Sequence, residues 1–145
     1  MIARIPLFLF LALLLGCSKG DPNLPGYSVA SGDAAAFILE SAQRFGARPG
    51  RTAGLPKVEG EWRYKTDKDG IQIYLVGSRF ADLQSLLVGA FGPPAIAPTT
   101  NSDGQITMGV YAAPSTGAAM QYGHEDTIGG SRYTQLLIVR AGALQ

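Results

Sequence analysis

The chain has 145 residues, 46% of them hydrophobic, with 12 Lys and Arg against 11 Asp and Glu and a formal net charge of +1. That length supports one domain with a proper core rather than two, and so even a charge balance argues against nucleic acid as a partner. One cysteine and one histidine in the whole chain leave no internal disulfide framework and too few ligands for a zinc site of three or four protein donors.

Read from its start, the chain places Arg4 before an apolar run from Ile5 to Leu15 that has no charged or hydrogen-bonding side chain. This is the layout of an export signal. The run is well short of the roughly 20 apolar residues that a helix needs to cross a bilayer. Directly after it stands Leu14-Leu15-Gly16-Cys17, with a branched apolar residue three places before the cysteine and a small residue just before it. The segment resembles the lipobox of bacterial lipoproteins. The resemblance covers about the first 20 residues and carries no fold.

It implies cleavage between Gly16 and Cys17, a diacylglyceryl group on the Cys17 sulfur, and acylation of the new amine. Each buried CH₂ contributes about 0.8 kcal/mol, so two or three palmitate-type chains at one residue anchor a protein firmly where one chain holds it marginally. Lipid on Cys17 also consumes the only thiol, which would be a liability in an oxidising compartment. Ser18, rather than Asp, stands after the cysteine. By the enterobacterial rule that implies outer over inner membrane, if the cell is Gram-negative. The expected address is thus the bacterial cell envelope, on its periplasmic or outer surface, with residues 1–16 removed and Arg4 lost with them.

Residues 17–32 are rich in Gly, Pro, Ser and Asp and read as the lipidated N-terminus and a flexible tether, which puts the folded domain at 33–145. Phe37, Ile38, Ala42 and Phe45 recur at helical spacing and predict a helix over 34–45, with Ser31 or Asp33 as its cap and Gly46 as its stop. Arg44, Arg48, Arg51 and Lys57 come next without an intervening acid, interleaved with Gly and Pro. They read as a solvated basic connector. Alternation over Glu61–Thr66 and Ile71–Val76 around Asp67-Lys68-Asp69-Gly70 predicts a β-hairpin. Ser78 is the expected cap of a second helix over 79–91, whose stripe is Phe80, Leu83, Leu87 and Phe91 and whose stop is Gly92-Pro93-Pro94.

Beyond a loop to Gly104, strands are expected at 105–112, 118–125 and 132–140, with turns at 114–117 and 128–131. Leu136–Val139 is apolar on both faces and suits a central strand. The fold class expected is α+β: a mostly antiparallel sheet of about five strands with two helices on one face, in the order αββαβββ.

The residues with chemistry to offer centre on His124-Glu125-Asp126, since a strand there places His124 and Asp126 on one face. Ser115 or Ser131 with His124 and Asp126 would make a hydrolytic triad, but neither serine stands in a Gly-x-Ser-x-Gly elbow. Asn101-Ser102-Asp103-Gly104 resembles the start of a calcium loop without its distal Glu and reads as a turn. No glycine cluster precedes a phosphate-binding Lys-Ser or Lys-Thr. Asp103 with Glu125 or Asp126 would form a glycosidase pair only if folding set them at the right separation.

No catalytic, metal or cofactor site is therefore expected. The reading is a non-enzymatic envelope module that binds an envelope protein or cell-wall partner; the alternative is a lipid-anchored hydrolase or metal-dependent enzyme centred on His124. If Ile71, Ile73 and Leu75 point to the helices, Tyr74 points away. If Ile106, Met108 and Val110 point inward, Tyr111 likewise points away. Tyr74 and Tyr111 are thus expected in a partner-binding patch on the outer sheet face, where the registers of Tyr64, Tyr122 and Tyr133 stay open.

Overall fold

A computed structural model describes residues 20–77 and 79–142. Gly16, Cys17 and the expected helix cap Ser78 lie outside the described residues.

The hairpin around Asp67 forms because that side chain supplies the turn. Its Oδ1 accepts the Asp69 and Gly70 amides at 2.7 and 3.0 Å, and its own amide donates to the Gly70 carbonyl at 2.9 Å. The arms are β3 (Glu59–Thr66) and β4 (Gly70–Val76), in register from Trp62 opposite Leu75 to Thr66 opposite Ile71. A second hairpin joins β6 (Ala118–Ile128) to β7 (Ser131–Arg140). Its two-residue loop, Gly129-Gly130, has both φ angles positive at 58° and 83°, a turn whose twist matches that of the flanking strands.

β7 lies between β4 and β6, so the apolar run at Leu136–Val139 is central. Leu136 and Ile138 are fully buried there. Beyond β6 comes β5 (Gly109–Tyr111), shorter than the strand expected over 105–112. Residues 99–107 instead fold back on themselves: Thr99 and Thr107 exchange backbone and hydroxyl bonds, and Asn101 Oδ1 accepts the Asp103 and Gln105 amides at 2.9 Å. The expected turn at 114–117 is a single helical turn, α3 (Ala113–Thr116).

The tether expected over 17–32 is corrected in its second half. Leu24–Asp33 is a ten-residue strand, β2, paired antiparallel with β3 from Ser28 opposite Tyr64 to Asp33 opposite Glu59. A two-residue β1 (Gly20–Asp21) lies outside it. Gly and Pro disguise β2 in the sequence, yet near a sheet edge Pro25 gives up no interior ladder bond. The sheet thus has seven strands among the described residues, in the order β1-β2-β3-β4-β7-β6-β5, with every neighbouring pair antiparallel.

Both long helices pack on one face of this sheet. Asp33 Oδ1 accepts the Ala35 amide at 3.0 Å and the Val58 amide at 2.8 Å, tying the start of α1 (Ala35–Arg44) to the end of the basic connector. α1 lays Ile38, Leu39 and Ala42 inward, and Phe37 rests 4.6 Å from the Trp62 ring and 4.9 Å from the Tyr64 ring. α2 (Phe80–Phe91) buries Leu83, Leu86, Leu87 and Ala90. Phe80 stacks on Tyr122 at 6.0 Å and Phe91 meets Tyr111 at 6.1 Å. Beneath them, Ile71, Ile73 and Leu75 of β4 join Leu136 and Ile138 in one core. The domain is α+β, with a mostly antiparallel sheet and its helices on one side, as expected. The core forms one connected cluster because alternation sends every second strand residue to the same side.

Thr134 is completely buried opposite Leu75 and its hydroxyl has no hydrogen-bond partner among the described residues. An unsatisfied buried hydroxyl costs about 1–3 kcal/mol. Thr134→Val should therefore raise the unfolding free energy by about 1 kcal/mol, read as a higher denaturant midpoint at unchanged m-value.

Candidate binding site

Among the described residues no helix packs on the opposite face of the sheet. Tyr74 lies there, half-buried, because its neighbours Ile73 and Leu75 go to the core. Tyr27 of β2 meets it edge to face at 5.4 Å, and Tyr133 of β7 does the same from the other side at 5.8 Å. Polar contacts link this aromatic group. The Tyr27 hydroxyl donates to Gln72 Oε1. Gln135 Nε2 donates to the Tyr74 hydroxyl at 3.2 Å and to Asp126 Oδ2. Asp126 Oδ1 in turn stands 3.0 Å from His124 Nε2. One chain of contacts thus runs across β2, β4, β7 and β6, from Tyr27 to the histidine.

Burial raises the pKa values of four phenols in this sheet. Tyr27 is pushed up to about 12, first by burial and then by the adjoining Tyr74. Tyr74 is raised by burial and, second, by the Asp126 carboxylate. Tyr111 and Tyr122, on the helix side, are raised by burial as well.

His124 occupies a β-bulge. The register of β6 against β7 slips between Gly123 and Glu125, and His124 has φ of 47°. Positive φ is uncommon away from glycine, although histidine is one of the residues that tolerate it. The slip resets the pairing beyond it. Glu125 stands opposite Thr134 and Asp126 opposite Tyr133, so the two acids point to opposite faces. Asp126 joins the tyrosine network. Glu125 accepts a bond from Arg132 Nη2 at 3.0 Å. Between β6 and the 99–107 segment lies a hollow of about 360 Å³ lined by Asp103, Gln105, His124, Glu125, Thr127 and Arg132, among others.

His124 and Asp126, but not Glu125, are therefore joined in one network to Tyr74, far from them in the sequence. Tyr111 is not. It is 1% exposed, pairs with Met120 on the helix side, and donates its hydroxyl to the Gly92 carbonyl at 2.7 Å. The outward placement expected for it is corrected, and the reason is its neighbour: a Cβ on Gly109 would stand 2.4 Å from the Tyr122 ring. The bare backbone at Gly109 lets Tyr122 lie under the sheet edge. Strand parity then turns Tyr111 inward and Val110 outward. Tyr122 is buried with it, and Tyr64 lies against Phe37 on the same side.

Of the serines weighed with His124, Ser115 sits in α3 and donates to the Ala112 carbonyl at 3.0 Å, and Ser131 begins β7 opposite Ile128. Neither lines the hollow. No three His, Cys, Asp or Glu residues stand together as a metal site among the described residues. Tyr27 was hidden in a stretch with no strand periodicity, and the links through Gln72 and Gln135 depend on a register that no local pattern encodes.

Comparison with protein-family models, characterised proteins and solved structures finds no match to this chain. None of the described helices is long and apolar enough to cross a membrane.

The opposite placements of Tyr111 and Tyr74 set different costs of truncation. Tyr111→Ala should cost about 3–5 kcal/mol, as truncation of a core aromatic does, whereas Tyr74→Ala should cost about 1 kcal/mol for its lost hydrogen bond; paired denaturation curves decide. The phenols also set an alkaline limit. An unfolded tyrosine ionises near its ordinary 10.0 whereas folded Tyr27 holds its proton to about 12. This stabilisation is complete below pH 10.0 and drains away as pH rises to about 12. Phenolate absorbance and loss of the far-ultraviolet sheet signal should rise together across that interval.

Proposed function

We propose that this protein is a bacterial envelope lipoprotein, held to the membrane through lipid on Cys17, whose domain is a non-enzymatic binding or accessory module. The observation that carries this reading is the one-sided packing of the helices, which leaves Tyr27, Tyr74, Gln72 and Gln135 on the opposite sheet face. Tyrosine suits such a surface because it offers large apolar area and a hydroxyl at little entropic cost, and it is enriched among residues that dominate binding energy. The partner is an envelope protein or a cell-wall component. The second reading, a hydrolase centred on His124, draws on the hollow beside that residue, but no serine among the described residues lines it.

The test is cross-linking and affinity recovery of the full-length protein from its native membranes. Tyr74→Ser should lower partner recovery several-fold at unchanged protein level, with the melting temperature lowered by no more than about 4–8 °C. Cys17→Ser should move the protein out of the membrane fraction, and mass spectrometry of the wild-type N-terminus should find a lipid-modified Cys17. An unmodified Cys17, or a terminus elsewhere, would sink the anchor; full recovery by Tyr74→Ser would sink the sheet surface.

A further inference from the structure

We infer that the hollow beside His124 is a binding site for a neutral polyhydroxylated ligand, a sugar unit of a glycan. This rests on the binding-module reading and adds to it a ligand site beyond the tyrosine face. The bulge is the first indication. A non-glycine residue at φ of 47° holds a costly backbone conformation, and bulges re-aim side chains beside functional sites. Here the bulge fixes the chain's only histidine with Nε2 on Asp126 Oδ1 at 3.0 Å, while the ring, half exposed, lines a hollow of about 360 Å³. With Nε2 turned to Asp126, Nδ1 is the ring nitrogen left to meet a ligand. No partner for it stands among the described residues.

The other groups in the hollow narrow the ligand by charge. Arg132 and Glu125 answer each other at 3.0 Å, so the guanidinium is no uncompensated site for a phosphate or carboxylate. The remaining charge, Asp103, would repel one. No group of three metal ligands is placed there among the described residues. An apolar ligand would strip water from carboxylates, imidazole and amide without replacing their hydrogen bonds. What remains is a molecule whose groups both donate and accept. Vicinal hydroxyls donate to Asp103 and to Nδ1 of His124, and accept from the Gln105 amide and the unused N–H groups of Arg132. The volume lies at the lower end of the roughly 300–1,000 Å³ typical of small-ligand sites, suited to a sugar unit rather than a larger cofactor. Glu125, Thr127 and Arg132 share the parity of Thr134, on the helix side of the sheet, whereas Asp126 points to the tyrosine face, so the hollow takes its sugar unit apart from the tyrosines.

The experiment is amide-resolved NMR titration of the full chain in detergent micelles with N-acetylglucosamine, chitotetraose, maltotetraose and inorganic phosphate as probes. The expected result is saturable shifts at Asp103, Gly123, Glu125 and Arg132 with the saccharides and none with phosphate. His124→Gly relieves the positive φ, so melting temperature should hold or rise while saccharide affinity falls about tenfold or more. Asp103→Asn, at an exposed position, should weaken saccharide binding without lowering the melting temperature. Absence of saccharide shifts, preference for phosphate, or unchanged saccharide affinity in His124→Gly would each overturn the assignment. A protein that recovers its membrane partner through Tyr74 yet takes no saccharide overturns the hollow alone, leaving the module reading intact.

Discussion

The ladder between β4 and β7 pairs Ile71 with Ile138 and Ile73 with Leu136 on one face, and Tyr74 with Gln135 on the other. Because strand side chains alternate, this register sorts the molecule into a dry side and a side bearing polar and aromatic groups. A slip of one residue would move the isoleucines out and the tyrosine in. The helices depend on the same register, since Leu83, Leu86 and Leu87 of α2 find apolar strand residues only on that side. The contacts from Tyr27 through Gln135 to His124 depend on it as well, drawing on four strands that only the ladder brings together.

Elements whose chemistry is local were legible in the sequence. Asp67 and Gly70 marked one turn and Gly129-Gly130 another, and the apolar stripes of α1 and α2 announced their buried faces within a residue or two of their ends. β2 was not legible, because Gly26, Pro25 and Gly32 erase alternation and the strand exists through its pairing with β3. Tyr111 was assigned by parity from Ile106 onward. That count fails because the backbone folds back between Thr99 and Thr107 before β5 begins at Gly109. The same limit applies to the site: His124 and Asp126 were visible as near neighbours, but the bulge that puts Asp126 rather than Glu125 on the tyrosine face is a property of the pairing with β7.

The bulge does two things at once. It spends a residue of β6 without a partner on β7, and by shifting the alternation it decides which of two adjacent acids takes which face. Glu125 is matched to Arg132, and Asp126 holds the imidazole and the Gln135 amide. Straight pairing would keep that alternation and place Glu125 on the tyrosine face. The surface chemistry near His124 thus arises from a local irregularity laid on an otherwise regular ladder.

The chain order of the strands has a consequence in time. β7 (Ser131–Arg140) follows the six other described strands in the chain and sits between β4 and β6, with the three strands from β1 to β3 beyond β4. Until β7 emerges, the two halves of the sheet have no common neighbour, and the apolar face under α2 has no Leu136 or Ile138 to close on. Pairings so distant along the chain are slow to form. The nascent polypeptide therefore keeps the two halves of its sheet open to one another until β7 has been made.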